Sequence, residues 1–282
     1  MNILIKLNII ILIILIIFEI IQIKYNKKID NFNANSIPIV YQYKLGYGGI
    51  GDFIKFMKLC IIKSEITNTK FYIDLDHPMK EFIQIDKKYI FNPSETKVYE
   101  IITPFVFYNR FEKTSVIQIH DKNNFHPLRY FSFSKECIDN CNNLLLQNNI
   151  NNYNYEGIHL RCGDSKMDST KRNKSDNRII NLNFYDIINK IVSDKLDTIF
   201  LLCTDNKEIK TEIARKFNNI RILNINIIHT SEVYDKNFQK ELKDNISEFI
   251  LLARATKIHS VSYSGFSIVA SWIYSREYVK YY

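Results

Sequence analysis

The stretch Tyr155-Glu-Gly-Ile-His-Leu-Arg-Cys-Gly-Asp164 has the pattern of a short apolar strand that ends in a polar turn. Open α/β sheets bind their ligands at the carboxyl ends of the strands, so this turn is a candidate binding site. Arg161 offers a planar fork of donors that suits a phosphate or a carboxylate, and Gly163 lets the backbone turn sharply. Our hypothesis is that this loop grips the diphosphate of a nucleotide-sugar. The ordinary alternative is a strand end that carries a surface ion pair.

From that stretch to the end of the chain, strands and helices alternate regularly. Short apolar runs of the buried-strand type are followed by longer segments in which apolar residues have helical spacing. Such a series predicts a parallel sheet with helices on both faces, and therefore an α/β fold. The predicted strands are Glu156–Leu160, Asp197–Cys203, Ile220–Ile225 and Lys257–Ser262, and the predicted helices are Asn183–Val192, Lys207–Phe217, Lys240–Thr256 and Gly265–Tyr274.

Three of these strands end in polar residues. Because the ends of parallel strands lie on one edge of a sheet, we expect the polar groups to converge. The turn after the last strand opens a helix, whose N–H groups and hydroxyls would make an anion site, although a Ser at a helix start is most often only a cap. Asp205 could accept two hydrogen bonds from a guanine edge, or bind a ribose. The converging residues are His159, Arg161, Asp164, Thr204, Asp205, Ser262, Ser264 and Ser267.

A glycine loop organises the first half of the chain. A strand over Ile37–Tyr43 leads into Gly46-Tyr-Gly48-Gly49-Ile-Gly51-Asp52, and a helix follows over Phe53–Ile66. Four of the seven glycines in the chain lie in this loop, and glycine serves tight turns and close approach of the backbone to ligands. The loop matches neither the dinucleotide fingerprint nor the P-loop. A purely structural turn is the alternative interpretation.

The remaining signals in the first half are weaker. Asp74-Leu-Asp76 resembles the Asp-x-Asp that holds a metal and a diphosphate in one class of glycosyltransferases, but three-residue patterns are common by chance. The five Cys include no CxxC, so we predict no metal site, and the compartment stays open on this ground. The further predicted elements are the strands Lys70–Leu75, Val98–Phe105 and Thr114–His120 and a helix over Ser134–Asn149.

Composition limits the classes of protein that this chain can belong to. The 282 residues suffice for one large domain or two smaller ones, and 46% hydrophobic residues can build a sizeable core. A net charge of +8 fits a protein that meets anionic ligands or a membrane surface. The Lys and Arg residues are scattered, with no zinc-finger spacing and no basic run interleaved with aromatics, so we predict no nucleic-acid partner.

The amino terminus carries an aliphatic segment. Leu7–Ile23 is almost wholly apolar, and its length is at the lower edge for a membrane-spanning helix. No small-x-small cleavage site follows, which favours an uncleaved signal-anchor over residues 1–24 and a short stem over residues 25–36. We therefore expect a single-pass membrane protein of the secretory pathway, of Golgi type, although the Lys residues after the segment argue weakly for the opposite orientation. A buried helix of the globular domain is the alternative.

Several motifs together resemble those of a known family. His159-Leu-Arg-Cys-Gly-Asp164 resembles the HxRxGD motif of the alpha-1,2-fucosyltransferases. Ser262-Tyr-Ser-Gly-Phe-Ser267, ahead of a helix that contains Trp272, resembles the last motif of that family. Gly48-Gly49-Ile50-Gly51 resembles its amino-terminal Gly-Gly-Leu-Gly. The resemblance covers most of the chain after residue 40 and is specific at the first and last motifs.

This resemblance implies a fold of two Rossmann-like lobes, the GT-B type of glycosyltransferase. Residues 37–150 would form the acceptor-side lobe and residues 151–282 the lobe that binds the nucleotide-sugar. The resemblance also implies GDP-fucose as the donor substrate, a hydroxyl of a glycan as the acceptor and inversion at the anomeric carbon. It implies no cofactor and no required metal.

The resemblance further implies roles for single residues. Arg161 would bind the diphosphate and help GDP to leave, because a preorganised guanidinium stabilises the charge that develops on the leaving group. His159 and Asp164 would shape the loop around it. The residues expected to contact GDP are Ser262, Ser264, Phe266 and Ser267.

Some positions depart from the family pattern. Asp52-Phe53 stands where the family has Asn-Gln, in a region that faces the acceptor, so the acceptor and the linkage stay open. Gly265 replaces a Ser. The acceptor hydroxyl needs a base, and Asp52, beside the glycine loop, is our candidate. Two alternatives are a GT-B enzyme that uses a different nucleotide-sugar and a membrane-anchored glycan-binding protein that has lost catalysis.

Overall fold

A computed structural model describes residues 37–105, 125–150, 153–163, 183–228 and 237–282. Two parallel sheets lie within these ranges, one in each half of the chain. The predicted anchor, the stem, the strand Thr114–His120 and the candidate site residue Asp164 lie outside the described residues. Within the described ranges, no helix has both the length and the apolar character that a membrane span requires.

The elements follow one another in the order that the sequence predicts, with short additions. In the described part of the chain, short 3₁₀ helices accompany them at Pro78–Glu81, Lys87–Tyr89 and Pro127–Arg129. The strands and α-helices are β1 (Ile39–Lys44), α1 (Ile50–Thr67), β2 (Phe71–Asp76), β3 (Ile83–Ile85), β4 (Glu100–Ile102), β5 (Phe131–Phe133), α2 (Lys135–Gln147), β6 (Glu156–Leu160), α3 (Phe184–Val192), β7 (Phe200–Thr204), α4 (Lys207–Lys216), β8 (Ile220–Ile222), α5 (Phe238–Arg254), β9 (Lys257–Ser260), α6 (Gly265–Ile273) and β10 (Glu277–Lys280).

The sheet of the first half has the order β2-β1-β4, with both pairings parallel. β1 is central, and four of its six side chains are buried, as expected of a strand that is covered on both faces. α1 supplies the crossover that a parallel β1–β2 pair requires. It ends at Asn68, whose left-handed φ of 50° stops the helix.

The sheet of the second half has the order β10-β9-β6-β7-β8, and all of its pairings are parallel. The predicted parallel α/β sheet is therefore confirmed. β6, which carries the stretch quoted at the outset, lies in the middle of this sheet. The register pairs His159 with Cys203 of β7 and with Ser260 of β9, so the carboxyl ends of the three strands lie side by side.

Some predicted elements differ in extent from the observed ones. The strand predicted over Ile220–Ile225 ends at Ile222, and the strand predicted over Val98–Phe105 is reduced to Glu100–Ile102. The antiparallel pair β3–β5 and the edge strand β10 were not predicted. β3 and β5 have three residues each, which is too few for a periodic signal in the sequence.

The two halves meet through packed helices. α1 packs against α6, and α2 packs against α5. Gly51 lies at the first of these contacts, where a Cβ atom would be 3.2 Å from backbone atoms of Gly265 and Phe266. On the same contact, Lys58 Nζ lies 4.4 Å from the centre of the Trp272 ring, a cation–π geometry. One apolar core contains residues of both sheets. The lobe boundary at residue 150 stays a prediction.

We predict that Gly51→Ala destabilises the protein by about 1–3 kcal/mol, because the added methyl group would press on backbone that can relax little. Thermal or urea unfolding measures the change. Gly265→Ala is the matched control, because a Cβ atom there meets nothing within 4 Å. Equal stability of the Gly51→Ala variant and the wild type would contradict the close approach of the two helices.

Candidate functional site

The predicted convergence of the three strand ends is present around the Arg161 loop (residues 161–163). The N–H of Arg161 donates to Ser262 Oγ at 2.6 Å, so the residue after β9 holds one side of the loop. The N–H groups of Cys162 and Gly163 donate to Asp205 Oδ1 and Oδ2 at 2.6 and 2.9 Å. Gly163 has φ +92°, a left-handed value that favours glycine. Side chains from both neighbouring strands thus bind the backbone of the loop.

An ion pair completes this arrangement. Arg161 Nη1 lies 2.8 Å from Asp205 Oδ2, and the side chains are 17% and 3% exposed. A charge-assisted hydrogen bond in such a sheltered position is stronger than one at the surface. The sequence-based role of Asp205 as a ligand of the base or ribose stays a prediction. In the structure, the partners of its carboxylate are groups of the Arg161 loop.

The serine turn after β9 divides into residues that face the cleft and residues that face the protein interior. Ser264 is the N-cap of α6, and its Oγ accepts the N–H of Phe266 at 3.3 Å. Ser267 is fully buried, and its Oγ lies 3.0 Å from Ser260 Oγ. Ser262 Oγ is bound to the Arg161 backbone. Ser264 and Phe266 line the cleft, whereas Ser267 lies in the interior away from it.

Aromatic rings form one wall of the cleft. The ring of His159 stacks on that of Phe266, with centroids 5.4 Å apart and an angle of 23° between the planes. Phe266 in turn meets Phe249 of α5 edge to face at 5.1 Å. Offset stacking and edge-to-face contacts of this kind are the favourable aromatic geometries. The strand that carries Arg161 and the helix that opens at Ser264 are therefore held in fixed relation.

The glycine loop of the first half forms the adjoining wall, since Gly51 lies against the backbone of Gly265 and Phe266. Gly48 has φ +108°, and a Cβ atom there would lie 2.3 Å from Asp52 Oδ2, so the Asp52 carboxylate covers this glycine. The Tyr43 hydroxyl donates to the carbonyl of Gly49 at 3.0 Å, which anchors the loop to β1. Asp52 lies in the first turn of α1, where the helix dipole favours a carboxylate.

The cleft between the two walls collects most of the predicted site residues. Gly49, Gly51, Asp52, His159, Arg161, Asp205, Ser264 and Phe266 line it, together with Ile50, Met79, Thr204, Ile227, Ile228, Leu242, Asn245, Ile246, Glu248 and Gly265. Three further predicted residues that are described do not line the cleft but contact residues that do. Gly48 contacts Asp52, Ser262 contacts Arg161 and Ser267 contacts Ser264. Two helix amino termini, those of α1 and α6, face this cleft beside Arg161.

A buried ion pair at the base of the cleft was missed in the sequence. Glu248 of α5 and Lys210 of α4 are about 4% exposed, with Lys210 Nζ 3.1 Å from Glu248 Oε1. Burial raises the pKa of Glu248, while the nearby ammonium of Lys210 acts to lower it. The only available signal was an acidic residue inside the apolar run Ile246-Ser-Glu-Phe-Ile-Leu-Leu252, on a helix predicted to be buried.

The Cys162 thiol and the Asp74-Leu-Asp76 motif have limited chemistry. Burial raises the pKa of Cys162 to about 12, so its thiol is neutral near pH 7 although it adjoins Arg161. Asp74 is hydrogen-bonded to Gln42 Nε2 at 2.7 Å, and neither it nor Asp76 is among the described residues that line the cleft. Across the described ranges, no group of three or more His, Cys, Asp or Glu is placed to hold a metal ion. The metal role considered for Asp74 and Asp76 gains no support.

Similarity to known proteins is limited to structure. No protein-family model and no curated protein sequence matches this chain. Among solved structures, it resembles NodZ alpha-1,6-fucosyltransferase soaked with GDP-fucose, with 12% identity, a TM-score of 0.50 and coverage of 85% of this chain and 93% of that one. Fucosyltransferase NodZ from Bradyrhizobium gives 11% identity and a TM-score of 0.49, over 84% and 93% of the two chains. The first likeness supports a shared fold, and two parallel α/β sheets beside a cleft fit the GT-B type.

We predict that all five cysteines resist thiol reagents in the folded protein. Each is a free, buried thiol, and burial raises the pKa of each one. A titration with a disulfide reagent at pH 8 should find no fast-reacting thiol in the native state and five after denaturation. Rapid modification of one thiol in the native protein would show that the segment around it opens or packs differently.

Proposed function

We propose that this chain is an inverting glycosyltransferase that transfers fucose from GDP-fucose to a hydroxyl of a glycan acceptor. The observation that carries the proposal is the convergence of Arg161 and two helix amino termini on one cleft. A helix amino terminus is a ready anion site, and a guanidinium suits phosphate, so this arrangement supports an anionic ligand such as a diphosphate. The motif resemblance at residues 159–164 and 262–267, and the shared fold, support fucose as the sugar.

The catalytic requirement is stabilisation of the leaving group. Negative charge grows on the GDP oxygens as the bond to the sugar breaks. Arg161 and the N–H groups at the start of α6 would meet this charge without a metal ion. They are held in place before the substrate arrives, so little reorganisation is needed at the moment of reaction. Ser264 and Phe266, at the start of α6, would flank the same diphosphate.

The acceptor side belongs to the glycine loop and Asp52. The loop turns sharply at Gly48 and brings the start of α1 to the cleft that Arg161 also lines. A base on this wall could take the proton of the acceptor hydroxyl as the new bond forms. We propose Asp52 for that role. The motifs resemble those of enzymes that form alpha-1,2 linkages. We therefore propose that the new bond joins fucose to the acceptor by an alpha-1,2 linkage.

The membrane anchor, the stem, the division into lobes and the partners are also proposals. Residues 1–24 would anchor the protein in a membrane of the secretory pathway, with residues 25–36 as a stem. Residues 37–150 would form the acceptor-side lobe and residues 151–282 the donor lobe. A glycan and a nucleotide-sugar would be its partners, and no cofactor and no nucleic acid would be needed.

We predict that Arg161→Ala abolishes transfer of fucose and weakens GDP binding by about 10- to 100-fold, because a hydrogen bond to a charged group contributes about 1.5–3 kcal/mol. Calorimetric titration with GDP and a transfer assay with GDP-fucose on a glycan array measure the two effects. Arg221→Ala is the matched control, because the Arg221 guanidinium is bonded to carbonyls of its own neighbourhood. Near-normal transfer by Arg161→Ala would refute the mechanism.

A screen of donors separates the proposed function from its alternatives. Wild-type protein should be stabilised against heat by GDP-fucose more than by other nucleotide-sugars. A clear preference for another nucleotide-sugar would keep the enzyme class and replace the donor. Glycan binding without transfer or donor hydrolysis would favour the inactive binding protein.

We predict that Asp52→Asn lowers the rate of transfer by about 10²–10⁴-fold, the usual contribution of a general base. GDP affinity should stay within about twofold of the wild type, because the substitution keeps the shape of the side chain over Gly48. Steady-state kinetics and GDP titration test the two parts. Equal losses of turnover and of donor affinity would exclude Asp52 as the base.

A further inference from the structure

Asp205 binds the Arg161 loop at three points. Its Oδ2 atom lies 2.8 Å from Arg161 Nη1 and accepts the N–H of Gly163 at 2.9 Å. Its Oδ1 atom accepts the N–H of Cys162 at 2.6 Å. The residue is 8% exposed. Both carboxylate oxygens are therefore engaged by the loop that carries Arg161.

The sheet register explains why Asp205 reaches this loop. β6 and β7 are parallel neighbours, and Leu160 pairs with Thr204 at their ends. Arg161 and Asp205 are the next residues on the two strands, so they leave the sheet side by side. On the other flank, Ser262 Oγ accepts the N–H of Arg161 at 2.6 Å. The loop is thus clamped from both neighbouring strands.

This clamp has an energetic consequence for Arg161. A free arginine side chain loses up to about 2 kcal/mol of conformational entropy when it is fixed. The ion pair with Asp205 fixes it before a ligand binds, so that cost does not oppose binding. A guanidinium carries five N–H donors, more than one carboxylate can accept, so the pair is compatible with phosphate binding by the same group.

We propose that Asp205 is a positioning residue that holds Arg161 for the diphosphate and does not itself bind the base or the ribose. The inference rests on the proposed function, because it takes the cleft to bind a nucleoside diphosphate. It assigns Asp205 a role different from the one that the sequence suggested. The two roles differ in which part of the nucleotide depends on the carboxylate.

The test compares GDP with guanosine on the Asp205→Asn variant. Asn has the size of Asp but lacks its charge and the second strong acceptor, so Arg161 and its loop lose their anchor. GDP should bind about tenfold more weakly, while guanosine should bind within about twofold of its wild-type affinity. Displacement of a fluorescent GDP derivative measures the affinities of both GDP and guanosine in the same assay.

The matched control is Glu156→Gln. Glu156 is a carboxylate at the other end of β6, where it holds Lys195 Nζ at 2.7 Å and His259 Nε2 at 2.6 Å. Like Asp205→Asn, Glu156→Gln removes a partly buried ion-pair partner. The variant should have a lower Tm than the wild type and an unchanged affinity for GDP and guanosine. A loss of GDP affinity in this control as large as in Asp205→Asn would attribute the effect to general destabilisation.

A double-mutant cycle tests whether Asp205 acts through Arg161. In an Arg161→Ala background, Asp205→Asn should weaken GDP binding no further, since there is no guanidinium left to position. Additive losses, or an equal loss of guanosine and GDP affinity in Asp205→Asn, would overturn the proposal in favour of a direct contact with the nucleoside. Unchanged affinity for both ligands in Asp205→Asn would overturn it as well.

Ser262→Ala covers the case in which Asp205→Asn does not fold. It removes the opposite side of the clamp and keeps the ion pair, so a GDP-selective loss is again expected, and unchanged GDP affinity would overturn the clamp.

The nucleotide preference of the wild-type protein separates this inference from the proposed function. If it binds UDP and not GDP, the donor assignment fails and the comparison is made with UDP and uridine. If it binds no nucleoside diphosphate, both fail.

Discussion

The position of β6 between β9 and β7 in a parallel sheet determines what surrounds Arg161. Parallel pairing brings the carboxyl ends of all three strands to one edge, so the residues that follow them leave the sheet side by side. Asp205 and Ser262 then bind the backbone of residues 161–163 from opposite sides. At the edge of a sheet, one flank of this loop would have no neighbouring strand to support it.

A second constraint is the close contact between α1 and α6. Glycine at position 51 lets the start of α1 approach the backbone of Gly265 and Phe266. The positive ends of two helix dipoles therefore face the same cleft. Among the described residues that line the cleft, Arg161 is paired with Asp205, Glu248 is paired with Lys210 behind it, and Asp52 adds a further carboxylate. The anion binding that we propose for the cleft therefore depends on the orientation of N–H groups and one guanidinium, and not on an excess of positive charge.

The sequence predicted long helices and strands better than short ones, because a periodic pattern needs several residues to be recognised. The long periodic segments of the second half were predicted correctly. The convergence of three strand ends at one edge of the sheet was also predicted. The three-residue strands β3 and β5 were missed because so few residues carry no periodicity. Glu248 was missed because the sequence does not show whether a single acidic residue in an apolar helix is buried or exposed. Lys210 lies 38 residues from its partner, and only the fold shows that the two meet.

The sequence by itself determined the α/β class, the polar turn that follows the strand at residues 156–160 and the identity of the groups that we propose to bind an anion. Local periodicity and turn chemistry encode these features within short stretches of chain. Only the tertiary structure decided how those groups are used. It turned Ser267 into the interior, engaged Ser262 and Asp205 with the Arg161 loop, and brought the glycine loop to the same cleft. These positions depend on strand register and helix packing, which bring together residues as far apart in the sequence as Gly51 and Gly265. No local pattern specifies such contacts.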